Sequence, residues 1–201
     1  EGNRIGPLEA HGVKLISIGS ISPGDKPMVM RGPMLHQIIR QFLKQVEWGE
    51  LDYLIVDLPP GTGDVVISLV QTVPLTGAII VSTPSDVALQ DGRKAVEMFR
   101  QVKVDVLGIV ENMSTFICPP CGEESQIFGH GGARETAKTL NAPFLGEIPL
   151  VGAIRETSDA GTPIVASAPG SAEAKAFLLI AAEVAAKIGT PQRAAPQIVI
   201  E

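Results

Sequence analysis

The residues best placed to do chemistry lie in two short stretches. The first is Leu54-Ile-Val-Asp57-Leu-Pro-Pro-Gly61-Thr62-Gly63-Asp64, an apolar run that ends in an aspartate and then breaks into a glycine-rich turn. An aspartate at the tip of a buried strand, facing amides freed by glycines, can hold a magnesium ion and sense a terminal phosphate. The plain alternative is a strand followed by a Pro-Gly loop, and for an isolated Asp-x-Pro-Pro-Gly that is the better reading. The second stretch is Cys118-Pro119-Pro120-Cys121, which holds both cysteines of the chain. Two thiolates three positions apart can clamp a metal or the edge of a cluster, yet zinc and iron–sulfur clusters usually need four ligands. The pair is therefore half a site, and a two-fold axis beside it would supply the other half.

Other chemistries for the pair are weaker. A thioredoxin-like redox pair opens a helix, whereas Gly122-Glu-Glu-Ser125 reads as loop. A zinc clasp completed by His130, in Phe128-Gly-His130-Gly-Gly132, still lacks a ligand. A structural disulfide does not suit a chain with no secretion signal. The spacing alone favours an intersubunit metal site only modestly.

These residues need a scaffold, and the 201-residue chain can build one. It is 45% hydrophobic, but only six Phe, one Tyr and one Trp are aromatic, so the core is expected to be aliphatic. Its net charge of −6 disfavours a broad nucleic-acid-binding face. The apolar runs are too short to span a membrane and no signal peptide opens the chain, so the expectation is a cytoplasmic protein with no membrane or nucleic-acid partner.

Apolar spacing predicts strands at Val13–Ile18, Tyr53–Asp57, Ala78–Thr83, Val106–Glu111 and Phe144–Ile148. It predicts helices at Pro33–Val46, Val65–Val73, from Ser85 or Asp86 to Val102, at Ala133–Leu140, at Val151–Asp159 and at Ala172–Ile188. Residues 112 to 129 read as a long irregular segment carrying the cysteines. The alternation calls for an α/β fold, a doubly wound and mostly parallel sheet with helices on both faces, formed by one domain over 1–188 with a loose tail at 189–201. Ligands of such sheets sit beyond the carboxyl ends of the strands. Asp57, the segment Thr83-Pro-Ser-Asp86 and Glu111-Asn112-Met113 are expected to meet there. Asn112 suits an adenine edge because its amide both donates and accepts, although a turn residue after a strand fits the spacing equally well.

The chain also resembles the Mrp family of iron–sulfur cluster carriers, in the MinD/ParA-like (SIMIBI) branch of P-loop NTPases. The resemblance is carried by Arg31-Gly-Pro-Met34, the run from Asp52 to Asp64, Thr83-Pro-Ser-Asp-Val-Ala-Leu89, Val110-Glu-Asn-Met-Ser114, Cys118-Pro-Pro-Cys-Gly122, Ile127-Phe-Gly-His-Gly-Gly132 and Phe144-Leu-Gly-Glu-Ile-Pro-Leu150. It implies a homodimer that holds a [4Fe–4S] cluster between subunits and passes it from an assembly scaffold to apoproteins, coupled to ATP binding and hydrolysis. By that resemblance Cys118 and Cys121 are the cluster ligands and Asp57 holds magnesium through water. Gly61, Thr62 and Gly63 form the switch loop that senses the γ-phosphate, while Asn112 and Pro149 contact the base.

The departure from that family lies in the phosphate cradle. The deviant P-loop G-K-G-G-x-G-K-[ST] is absent, and the dipeptide Gly-Lys occurs nowhere. The expectation is the carboxyl-terminal part of a carrier, without its first strand and P-loop. Those missing lysines and amides supply most of the β- and γ-phosphate binding in P-loop enzymes. The chain as it stands is therefore expected to bind Mg-ATP weakly and to hydrolyse it negligibly. Isothermal titration giving a micromolar dissociation constant would contradict this. A MinD/ParA-like positioning ATPase and a non-enzymatic zinc-clasp scaffold are the rival readings. The first needs no cysteine pair, and the second predicts a colourless metal that survives oxygen.

Overall fold

The computed structural model describes residues 4–21, 32–59 and 63–189 and divides the chain into two compact units, 1–74 and 75–201. In the first unit, β1 (Leu8–Ala10) and β2 (Val13–Leu15) form an antiparallel hairpin. His11 and Gly12, both at positive φ, make the tight turn, a conformation that matches the twist of the strands it joins. The short α1 (Ile18–Ile21) follows, then α2 (Gly32–Lys44), which packs on α3 (Asp64–Thr72). Val66 and Leu69 of α3 are buried. Trp48 donates its indole N–H to the carbonyl of Phe42, 2.9 Å away, which ties the chain leaving α2 back to that helix.

Residues 53–57, expected as a strand, have no strand pairing, and Ile55 is 90% exposed. The physical reason is that a strand exists only through a neighbour's hydrogen bonds. Among the described residues no backbone pairs with this run, so its apolar composition has nothing to act on.

The second unit is an α/β sheet. Parallel strands β3 (Ala78–Ser82), β4 (Val106–Ile117) and β6 (Phe144–Leu150) run in the order β3–β4–β6, and the two-residue β5 (Glu124–Ser125) pairs antiparallel with the end of β4. Helix α4 (Asp86–Gln101) crosses one face against β3, and α5 (Gly132–Thr139) packs beside it on β4. Next come α6 (Gly152–Asp159) and α7 (Ile164–Ser167), and α8 (Ala172–Ile188) covers the other face. There Val110, Leu145 and Ile148 meet Ala176, Ile180 and Val184. Ser171 caps α8 by accepting from the amide of Ala174, and Gly189 closes the helix. The mostly parallel doubly wound architecture read from the sequence is thus present.

The segment expected to be irregular from residue 112 is corrected in part. β4 continues through Ser114 and Thr115 to Ile117, because Phe116 pairs with Leu150 on one side and Ser125 on the other. Two polar residues hid a strand that both of its neighbours stabilise.

At Gly108 the backbone of β4 lies close against the start of β6. The φ of Gly108 is +156°, and a β-carbon there would lie 2.8 Å from the carbonyl oxygen of Pro143 and 2.6 Å from Cγ of Leu145. Backbone cannot yield as a side-chain tip can. Gly108→Ala is expected to cost about 2 to 3 kcal/mol, lowering the melting temperature by roughly 8 °C. An unchanged thermal melt would contradict it.

Candidate functional site

The two cysteines stand at the tip of the β4–β5 hairpin, which the sheet holds out from the carboxyl end of β4. The tip is closed by two backbone hydrogen bonds, Cys118 N–H to the carbonyl of Glu123 at 2.9 Å and Gly122 N–H to the carbonyl of Cys118 at 2.8 Å. Gly122 sits at φ +71°, which lets the chain reverse. Both thiols are free, Cys118 half-buried and Cys121 exposed. The Cys121 thiol is held below its ordinary pKa, first by a hydrogen bond from the Glu123 backbone and then by one from the Cys118 thiol. Cys121 is therefore biased toward thiolate, the form that binds soft metals.

That bias has a measurable sign. At neutral pH Cys121 is expected to alkylate faster than an ordinary exposed thiol, with a pH midpoint below the usual thiol value. Cys118→Ala, which removes one donor, is expected to raise the midpoint. Iodoacetamide rates across pH, read by peptide mass spectrometry, check both statements. Identical midpoints in the two proteins would refute the proposed role of Cys118.

At the carboxyl ends of the strands, Asn112 in β4 lies opposite Ile148 in β6, so Pro149 is one residue beyond Asn112's partner. Both are half-buried. Asn112 accepts the amide of Met113 on its side-chain oxygen at 3.0 Å, which fixes the orientation of its carboxamide. Met113 has φ +56°, and β4 changes register with β6 just after Asn112. The Thr83–Ser85 turn stands after β3, where the Thr83 and Ser85 hydroxyls lie 3.1 Å apart. A β-carbon on Gly132 would strike the Pro84 carbonyl at 2.7 Å, so the Gly-rich loop before α5 presses on this turn. The expected meeting of Thr83–Asp86 with the end of β4 therefore holds within the second unit. Ser85 is the residue before α4, but its side chain makes no capping bond.

Asp57 and Gly63 belong to the first unit, and both are exposed. Gly63 precedes α3 in an extended conformation and its carbonyl accepts the amide of Val66 at 3.2 Å. Gly61 and Thr62 lie outside the described residues, as does the tail after Gly189.

Sequence reasoning missed the part played by Glu111. Its side chain is fully buried, and its two oxygens accept the amides of Gly131 at 2.9 Å and Ala133 at 2.8 Å. Helix α5 has a glycine at its N-cap and no local capping side chain. A carboxylate from a neighbouring strand does that work instead, where the helix dipole favours a negative charge. A glutamate directly after the apolar run Val106–Val110 was the available signal. His130, left open between metal ligand and loop residue, lies beside this carboxylate.

A family model described as ParA, the NUBPL iron-transfer P-loop NTPase, matches residues 1–185. The chain belongs to this family. Among curated relatives it is 52% identical over 186 residues to the iron-sulfur cluster transfer protein NUBPL of Mus musculus, covering 92% of this chain and 58% of the relative. It is 53% identical over 188 residues to the iron-sulfur cluster carrier protein of Deinococcus radiodurans, covering 94% of this chain and 53% of that protein. The chain thus spans little more than half the length of these NUBPL-type relatives. A solved nucleotide-binding protein from Archaeoglobus fulgidus, in complex with ADP and with cobalt found by PIXE, superposes with a TM-score of 0.64 at 39% identity, over 79% of this chain and 62% of that one. Membership in the NUBPL iron-transfer family agrees with the resemblance read from the motifs. Among the described residues no helix is long and apolar enough to cross a membrane.

Proposed function

We propose that this chain is the cluster-holding part of an ATP-dependent iron–sulfur cluster carrier, which takes up a [4Fe–4S] cluster between two copies of itself and passes it to apoproteins. The observation that carries the reading is the free thiol pair at the hairpin tip, with Cys121 exposed and biased toward thiolate. The donor set fits the cargo in kind, because soft thiolates suit iron–sulfur clusters. It also fits in number if two chains meet, since each supplies two of four ligands. An exposed site favours release. Thiolates of an acceptor can reach iron and replace Cys121 first, then Cys118, while the released thiolates take up protons from water. A buried four-cysteine site in one chain would resist that exchange.

The nucleotide role is assigned to Asp57 and the Gly61-Thr62-Gly63 loop at the phosphate end, and to Asn112 and Pro149 at the base. Magnesium bound through Asp57 would supply charge for the phosphates. Asn112 suits an adenine because its carboxamide is already oriented by the Met113 amide. In this reading the partners are a second copy of the chain, a cluster assembly scaffold and apo iron–sulfur proteins.

The test is anaerobic reconstitution with iron and sulfide, followed by visible absorption, metal analysis, sizing chromatography and incubation with an apoprotein acceptor. The expected result is a brown dimer with about four irons per two chains, which loses its colour to the acceptor. A colourless protein that retains tightly bound zinc and survives oxygen would replace this reading with the structural-metal one.

A further inference from the structure

We infer that Glu111, His130 and Glu147 form a second metal site, one that takes a single divalent transition ion through an imidazole nitrogen and two carboxylates. It shares no residue with the thiol pair, and it does not depend on the carrier reading.

The argument starts from distances. His130 Nδ1 lies 3.6 Å from Glu111 Oε1 and 3.7 Å from Glu147 Oε2. One donor atom from each of the three residues can be chosen so that all lie within 4.8 Å of one another. These separations are too long for hydrogen bonds, which fall at about 2.7 to 3.2 Å. They are close to what a shared ion imposes, since donors about 2.1 Å from a tetrahedral zinc stand about 3.4 Å apart. The two separations from His130 already match that spacing, and the widest, within 4.8 Å, needs a movement of roughly an ångström to match it, which the partly exposed Glu147 side chain can make.

The surroundings are those of a supported ligand set. Glu111 is locked by the amides of Gly131 and Ala133, the outer hydrogen bonding that orients ligating carboxylates. His130 is carried between Gly129 at φ +86° and Gly131 at φ +78°, two left-handed positions that turn the loop back over the end of β4. Glu147 divides its oxygens, with Oε1 lying 3.8 Å from Arg134, whose guanidinium stacks 4.1 Å above the Phe144 ring. Its Oε2 is the atom that faces His130. Two carboxylates against one arginine leave a net negative charge that a divalent ion would neutralise.

The chemistry narrows the ion. An imidazole in the set selects against magnesium and calcium and suits zinc, iron, cobalt or nickel. His130 and Glu147 are each more than a third exposed, which leaves an entry path and coordination positions for water or an external ligand.

The experiment uses the full chain with both cysteines changed to serine, so that neither thiolate ligation nor a cluster can contribute. Cobalt(II) alone is the probe, followed by calorimetry and visible absorption. The expected result is one cobalt per chain with weak d–d bands and no thiolate charge-transfer band. His130→Ala and Glu147→Gln are each expected to weaken binding at least tenfold while circular dichroism and melting temperature stay close to the parent. Both changes fall on partly exposed side chains, whereas Glu111 holds α5 and is left intact. Cobalt affinity unchanged in both variants would overturn the proposal. So would an absence of stoichiometric uptake, which would mean that the three side chains pair only with one another.

Discussion

Changing Cys121 to Ser is expected to reduce iron uptake from about four per two chains to background, and Cys118→Ser to do the same. The size of the effect follows from ligand arithmetic. Each chain offers two thiols, so one substitution leaves a dimer with two cysteine ligands of four, and a serine hydroxyl is not ionised at neutral pH. Cys121 is the more exposed member and the one biased toward thiolate. The fold is not at risk, because the hairpin tip is closed by backbone hydrogen bonds rather than by the sulfurs. Iron analysis, visible absorption and thermal melting on the same samples test this. Full brown colour in Cys121→Ser would remove the pair from the cargo site.

The second large effect is on stability. Glu111→Leu is expected to destabilise the second unit by about 3 kcal/mol, a fall of roughly 10 °C in melting temperature. The wild-type carboxylate accepts from Gly131 and Ala133, and hydrogen bonds to a charged acceptor contribute about 1.5 to 3 kcal/mol each. Leucine fills similar space and removes the cost of burying a charge, which offsets part of that loss. It also leaves the Ala133 amide at a buried helix start with no acceptor, and α5 has no other cap. Glu111→Gln retains one carbonyl but points an N–H group at an N–H group, and is expected to fall between the two. Calorimetric melts of the three proteins check the order. A leucine variant as stable as the parent would mean that solvent reaches those amides.

Much of the scaffold was legible because its helices carry their own signals. The apolar face of residues 33–46 and the spacing over Ala172–Ile188 give α2 and α8 nearly to the residue. The thiol pair and Asn112 stood out because their residue types are uncommon at such positions in an apolar chain. What could not be read depends on pairing. Residues 53–57 have the composition of a buried strand, yet composition is silent about whether a neighbour is there to bond. Ser114 and Thr115 look like loop and are strand, for the converse reason. Glu111 illustrates the same limit for sites. A glutamate that caps a helix twenty residues further along has no local pattern, since its partners are backbone amides that any sequence would offer.

β4 has a consequence for how such a site could be moved or copied. The strand that supplies Ile109 and Val110 to the core is the same one that runs through the left-handed Met113 to the thiols. The cysteine pair is therefore not a module that can be grafted by exchanging a surface loop. A transplant into another sheet would have to carry β4, its left-handed Met113 and the short antiparallel return of β5, together with a β6 in matching register. Engineering on this scaffold is better directed at the residues between the cysteines, Pro119 and Pro120, which can change while the strand that presents them stays in place.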